Sequence, residues 1–370
     1  MELFFELIQV AIGGKCELSR VPTADEWSAI YSHCQRQALL GIGYVGIQRL
    51  PESQWPPSSL VIMWTMAAES IMRRNAVMNE ACRKLRRNFS RDGFWSCILK
   101  GQSNRVNYPS VTLPNGNVAD LGMYRTSGDI DVWVLPEKDC PNAVGKVIDY
   151  VCGVKPGRKV YYHHADFPVL DGIDVEVHYR PSFLYSPLRN VRLQRWFRAA
   201  YRNCMVEEYD GMRIPTCEFN MVFQLVHVYK HLFEDGIGLR QLLDYYFVIR
   251  NYSCSEHDTE AFVKELRRLG LRDFFSSLMY VLHVVFGMDC DMMPVKMNET
   301  DGDFLLGEIM RAGNFGHYDD RIAKNESTLE RAVRKTRRNS RFICMYPEEV
   351  ICEPAFRLYH FVWRCVRKFK

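Results

Sequence analysis

Among thirteen cysteines the chain has no CxxC pair, and the closest two, Cys344 and Cys352, stand too far apart to seed a zinc knuckle or a dithiol redox centre. No GxSxG elbow, HExxH pair or GxxxxGK[ST] loop is present, which removes serine-hydrolase, zinc-protease and Walker-type ATPase readings. Long apolar runs are missing too. No stretch approaches the ~18 uninterrupted apolar residues of a membrane span. The opening MELFFELIQVAIGG is broken by Glu2 and Glu6 and has no basic leader, so it reads as an amphipathic helix. With scattered thiols and no export signal, the expectation is a soluble cytoplasmic protein without membrane contact, most of whose cysteines are small core residues.

What is there suits a folded chain. Hydrophobic residues make up 47% and charged residues 25%, and 370 residues allow about two domains, or one core with additions. The net charge of +4 is uneven: from Asn325 to Lys370 eleven Lys and Arg face five Glu, which leaves residues 1–324 slightly negative. The densest basic run holds Arg331, Arg334, Lys335, Arg337, Arg338 and Arg341 without an acid. It lacks the interleaved aromatics that stack single-stranded bases, so a small-molecule or protein partner is expected in preference to nucleic acid.

The periodicity divides the chain into a helical region over 1–93, a small α/β core over 94–181 and a helical region over 182–370. Thr23 and Glu26 form a capping-box pattern. Residues 60–91 read as a long amphipathic helix whose Arg73, Arg74, Arg83, Lys84, Arg86 and Arg87 form a solvated face. GFWSCILKG reads as a strand ending in a glycine turn, 102–125 as a loop or interrupted helix, and GDIDVWVLP as a second strand. RKVYYHHADFPVLDGIDVEVHYRP reads as a hairpin turning at Asp171-Gly172. After Pro181 the pattern is helical to the end.

Strand alternation puts Asp129 and Asp131 on one face, with Ile130, Val132 and Val134 behind, so the carboxylates are presented as a pair. Gly128 removes a Cβ just before them. In IDVEVHYR the device repeats, with Asp174, Glu176 and His178 on one face. Carboxylates converging from neighbouring strands repel unless a cation neutralises them, and oxygen-only ligands imply Mg²⁺ or Mn²⁺. That combination points to phosphoryl or nucleotidyl transfer.

In the helical region, His227, Lys230, His231 and Glu234 form a polar stripe opposite Met221, Val222, Leu225 and Tyr229. Arg240 and Asp244 sit four apart with Gln241 beside them. These stripes are either solvated faces with a surface ion pair or one wall of a nucleotide cleft. The 227/231 pair has metal-ligand spacing but no obvious matching carboxylate, which argues against zinc. His163 and His164 read as hairpin decoration.

ILKG, GDIDVWV and VEVHYRP, followed by HVYKH, GIGLRQLLD and GNFG, resemble the nucleotidyltransferase-like family of the DNA polymerase β superfold, most closely a bacterial branch, over about residues 94–316. The resemblance implies an α+β fold, a small mixed β-sheet nucleotidyltransferase core flanked by helical regions. It implies an NTP donor, with ATP favoured, and transfer of a nucleoside monophosphate to a hydroxyl acceptor. Asp129 and Asp131 look like the paired metal ligands and Glu176 like the third carboxylate, with Asp174 a rival. Lys100, Gly101, Ser103 and Gly128 match the nucleotide-binding turn, and His178, His227, Lys230, His231, Arg240 and Asp244 the cleft wall. Nucleotidyltransferases usually place a Gly-Ser turn a short helix before the acidic pair. Here the turn reads KGQSN and the interval to Gly128 is long.

Overall fold

The computed structural model describes residues 1–154, 156–157, 159–203, 206–252, 256–319, 321 and 327–368. Four helices come first: α1 (Glu2–Ala11), α2 (Ala24–Arg36), α3 (Leu40–Arg49) and the long α4 (Ser58–Arg91). The Thr23 hydroxyl accepts from the Glu26 N–H and the Glu26 carboxylate accepts from the Thr23 N–H, which starts α2 by satisfying two orphan donors.

Strands then build the sheet: β1 (Phe94–Ile98), the short pair β2 (Ser110–Thr112) and β3 (Val118–Asp120), and β4 (Ile130–Pro136). After α5 (Ala143–Val154) come β5 (His164–Leu170) and β6 (Ile173–His178). The principal sheet has the order β1-β4-β6-β5 and is mixed: β4 runs parallel to β6 and antiparallel to β1, while β5 and β6 form the hairpin. The fold is therefore mixed α+β, a small mixed sheet flanked by helices.

β4 is apolar along almost its whole length because both of its faces are covered. Alternation sorts its side chains into two cores. Ile130, Val132 and Val134 join Val175 and Val177 of β6 against α4 and α5, each burial contributing about 1.5–3 kcal/mol. Trp133 points the other way, into a larger core.

That larger core is shared by the N-terminal helices and by α6 (Pro187–Arg202), α7 (Cys217–Glu234), α8 (Leu239–Asn251), α9 (Glu256–Leu269), α10 (Arg272–Phe286) and α11 (Glu299–Ala312). Helices from both ends of the chain thus pack as one body around one face of the sheet. The chain closes with α12 (Thr328–Asn339) and α13 (Pro347–Lys368). Among the described residues no single helix is long and apolar enough to cross a membrane, and the described cysteines are free thiols, with Cys34, Cys82 and Cys97 buried.

Three expectations need correction. The region after Pro181 is not wholly helical: β7 (Val206–Tyr209) and β8 (Met212–Pro215) form a hairpin around Asp210-Gly211. Residues 102–125 hold the β2–β3 ladder, turning near Asn115-Gly116, between two short 3₁₀ turns. The basic face of α4 is not simply solvated. Arg83 pairs with Asp210 at 2.9 Å, Lys84 with Asp171 at 2.8 Å and Arg86 with Glu208, so these residues staple α4 to the tips of both hairpins.

Candidate active site

The parallel pairing of β4 with β6 sets the register, because Asp131 lies directly opposite Glu176. Asp129 precedes β4 by one residue. Oxygens of Asp129, Asp131 and Glu176 lie within 4.8 Å of one another. Asp174, on the same face of β6 but nearer the turn, is exposed and does not line the cleft. A hard divalent cation fits this oxygen-only set.

The pair is not presented evenly. Asp129 is half-buried, but Asp131 is only 1% exposed, so the expectation of two presented carboxylates fails for the second. Its charge is matched instead: Lys100 Nζ lies 3.0 Å from Oδ2 and His178 Nε2 lies 2.9 Å from Oδ1. Burial pushes the Asp131 carboxyl up, yet Lys100 and His178 outweigh it and hold it below the usual carboxylate range. Glu176 behaves alike. Burial is overcome by the hydrogen bond from His178 and by neighbouring positive charge, and its pKa falls to about 2. Lys100 and His178 are raised by the same partners, against the opposing effect of burial. The His178 Nδ1 has no hydrogen-bond partner among the described residues.

Gly101 follows Lys100 with φ +66°, a left-handed conformation that favours glycine and turns the chain from β1 into a 3₁₀ turn. At Gly128 a Cβ would meet only the Arg240 Nη1 at 3.7 Å, an ordinary contact, so the protein itself does not require glycine there. Ser103 is buried and lies outside the cleft lining.

Above the carboxylates opens a cleft of about 620 Å³. α7 contributes His227, Lys230, His231 and Glu234 to it, so the polar stripe faces an internal cleft and not bulk solvent. Burial and nearby cations push His227 and His231 well below their ordinary range, leaving both neutral. His231 Nδ1 is 3.9 Å from Glu234 Oε2, and its candidate ligand group is with Glu234 and Asp235, not with His227.

The Arg240–Asp244 pairing expected from spacing is not made. Asp244 instead takes a bidentate contact from Arg125, 2.6 Å on each oxygen, and a 2.7 Å hydrogen bond from the Tyr108 hydroxyl, all buried. Arg240 donates to the Thr126 carbonyl at 2.9 Å, just ahead of the acidic pair, and stacks over the Phe315 ring. Both Arg240 and Asp244 line a small annex of the cleft with Lys100, Gly101, Gly128 and Asp129.

Several cleft residues were missed in the sequence. Phe315, from GNFG, holds φ +52° and reaches both the cleft and its annex. Such a conformation is costly for a bulky residue and marks a place where surrounding structure imposes it. α13 supplies Phe356, His360 and Arg364, a spacing of four that places them on one helix face. His163 and His164 also line the cleft, contrary to the expectation of hairpin decoration: Lys230 Nζ is 3.1 Å from His163 Nε2, and His164 Nδ1 is 3.6 Å from Glu176 Oε2.

No curated protein and no solved structure matches the chain. A family model described as uncharacterised nucleotidyltransferase does match, across residues 23–287, a span that includes every strand and the cleft residues through α8. The chain belongs to this uncharacterised nucleotidyltransferase family.

Proposed function

We propose that the protein is a metal-dependent nucleotidyltransferase that moves a nucleoside monophosphate from an NTP to a hydroxyl acceptor and releases pyrophosphate. The observation that carries this reading is the convergence of Asp129, Asp131 and Glu176 within 4.8 Å at the floor of the cleft. These three residues would hold Mg²⁺ or Mn²⁺, which when bound would neutralise phosphate charge and stabilise the attacking and leaving oxygens. Lys100, beside them, is placed to neutralise a phosphate once its contact with Asp131 is released. Backbone N–H groups of the Gly101 turn form the anion cradle. Glu176, partly exposed to the cleft, orients the acceptor hydroxyl and takes its proton as the new P–O bond forms. The α–β phosphate bond breaks in line, and positioning supplies most of the acceleration.

ATP is the first donor to test, and the acceptor is a small molecule or a protein side chain. The basic C-terminal run supports that choice by its engagement within the fold. Arg338 is buried against the Leu232 carbonyl, Arg341 pairs with Glu308, and Lys335 turns into the cleft. Incubation with α-labelled NTPs, Mg²⁺ and acceptor pools tests the proposal. Metal-dependent transfer of the label to an acceptor, with pyrophosphate released alongside, that disappears in Asp129→Asn is the expected result. A second reading, a nucleotide-binding module without turnover, is favoured by Lys100 resting on Asp131, where it competes with the cation. MgNTP binding with no pyrophosphate released from any NTP would select it.

A further inference from the structure

Beside the oxygen-only cluster, and sharing its Glu176, lies a second set of donors that brings in two imidazoles. His164 Nδ1 is 3.6 Å, and His178 Nε2 3.4 Å, from the same oxygen, Oε2 of Glu176. All three donor atoms fall within 4.8 Å of one another. Ligands held ~2.0–2.1 Å from Zn²⁺ at a tetrahedral angle are separated by about 3.3 Å, so the two edges to Glu176 need little adjustment to close on an ion.

The hydrogen bonding around His164 is incomplete without one. His163 Nε2 has a single in-plane lone pair, yet it faces both Lys230 Nζ at 3.1 Å and His164 Nδ1 at 3.0 Å. The ammonium can only donate, and it occupies that lone pair. His164 Nδ1 then has no acceptor on His163. Its nearest acidic neighbour is then the Glu176 carboxylate at 3.6 Å, beyond hydrogen-bond range. The set also opens on the cleft, which gives an ion a path in.

We propose that His164, Glu176 and His178 form a second cation site, selective for a borderline divalent transition metal such as Zn²⁺, with Glu176 shared between this site and the one formed with Asp129 and Asp131. Two imidazoles and one carboxylate suit Zn²⁺ and poorly suit Mg²⁺, which takes oxygen ligands; on binding, the ion displaces to solvent the Nε2 proton that His178 otherwise shares with Asp131 and Glu176. Three protein ligands leave a fourth position open toward the cleft. The proposal rests on the reading of the acidic cluster only for the sharing of Glu176.

Zinc binding to chelator-stripped protein, measured calorimetrically in excess Mg²⁺, tests it. The expected result is one Zn²⁺ per chain, at least tenfold weaker in His164→Ala and retained in Asp129→Asn, while Mg²⁺ binding shows the reverse pattern. Zinc affinity unchanged in His164→Ala, or no binding in excess Mg²⁺, overturns the second site. Loss of Mg²⁺ binding in neither variant counts against the acidic cluster alone. Should His164→Ala not fold, zinc-edge X-ray absorption of the wild-type protein decides: imidazole scattering supports the site, and a shell of oxygen only overturns it.

Discussion

Replacing Lys100 by Met removes the ammonium that, among the described residues, touches Asp131, and the structure allows its cost to be worked out. The side chain of Asp131 is almost wholly buried, and Lys100 also stands in the field of Asp129 and Glu176. Stripping the partner from a buried ion costs roughly 3–5 kcal/mol, and here three carboxylates are left to repel one another. Asp131→Asn is milder. The amide keeps a polar contact with His178, and Lys100 retains two other carboxylates, so about 2–3 kcal/mol is expected. The two losses share one interaction. In the double variant they must fall short of their sum by at least about 1 kcal/mol. Urea unfolding in chelator-containing buffer measures all four corners of the cycle. Added Mg²⁺ should then stabilise Lys100→Met more than the wild type, since no ammonium has to be displaced. Additive single costs, or a neutral Lys100→Met, would refute the coupled buried pair.

Glu349 gives a pH test away from the cleft. It is fully buried, it accepts from the Tyr185 and Ser186 N–H groups, and burial pushes it up to about 7 in spite of those bonds. A raised folded pKa means stability that is complete below the unfolded value and lost as pH rises through 7, so unfolding free energy should decline by roughly 3 kcal/mol between about pH 4.5 and 7. Glu349→Gln should flatten that decline, as read by denaturation midpoints across the window. For the basic C-terminal run, binding to tRNA should be weak at physiological salt. Sub-micromolar binding there, lost on replacing Arg334, Arg337 and Arg338 by Ala, would instead make α12 an RNA platform.

The acidic cluster was legible because strand alternation and hydrophobic patterning act locally. GDID and VEVH each announce one polar face, and only their register had to come from the fold, through the parallel β4–β6 pairing that chose Glu176 over Asp174. Partners far apart in sequence were not legible. Asp244 has an arginine four residues away, yet its partner is Arg125, 119 positions distant, because both are carried into the same buried layer. Position along a helix cannot say whether a polar stripe meets water or a cavity, and α7 shows the difference: His227 and Lys230 look solvated by spacing and are buried in fact. The β7–β8 hairpin had a signal in Asp210-Gly211 that the flanking short, charged strands obscured. α13 was missed as a cleft wall because its stripe of Phe356, His360 and Arg364 belongs to no family motif and gains meaning only where the helix packs.

If Asp129, Asp131 and Glu176 hold a cation for a nucleotide, nucleotide binding must require that cation and those carboxylates. Calorimetric titration of ATP into wild-type protein and Asp129→Asn, each with and without Mg²⁺, tests it most directly. Asp129 is half-buried and makes no ion pair among the described residues, so the substitution should leave stability within about 1 kcal/mol of wild type. ATP binding should depend on Mg²⁺ in the wild type and fall at least tenfold in a folded Asp129→Asn protein. Equal affinity in both proteins, or binding indifferent to Mg²⁺, would contradict it.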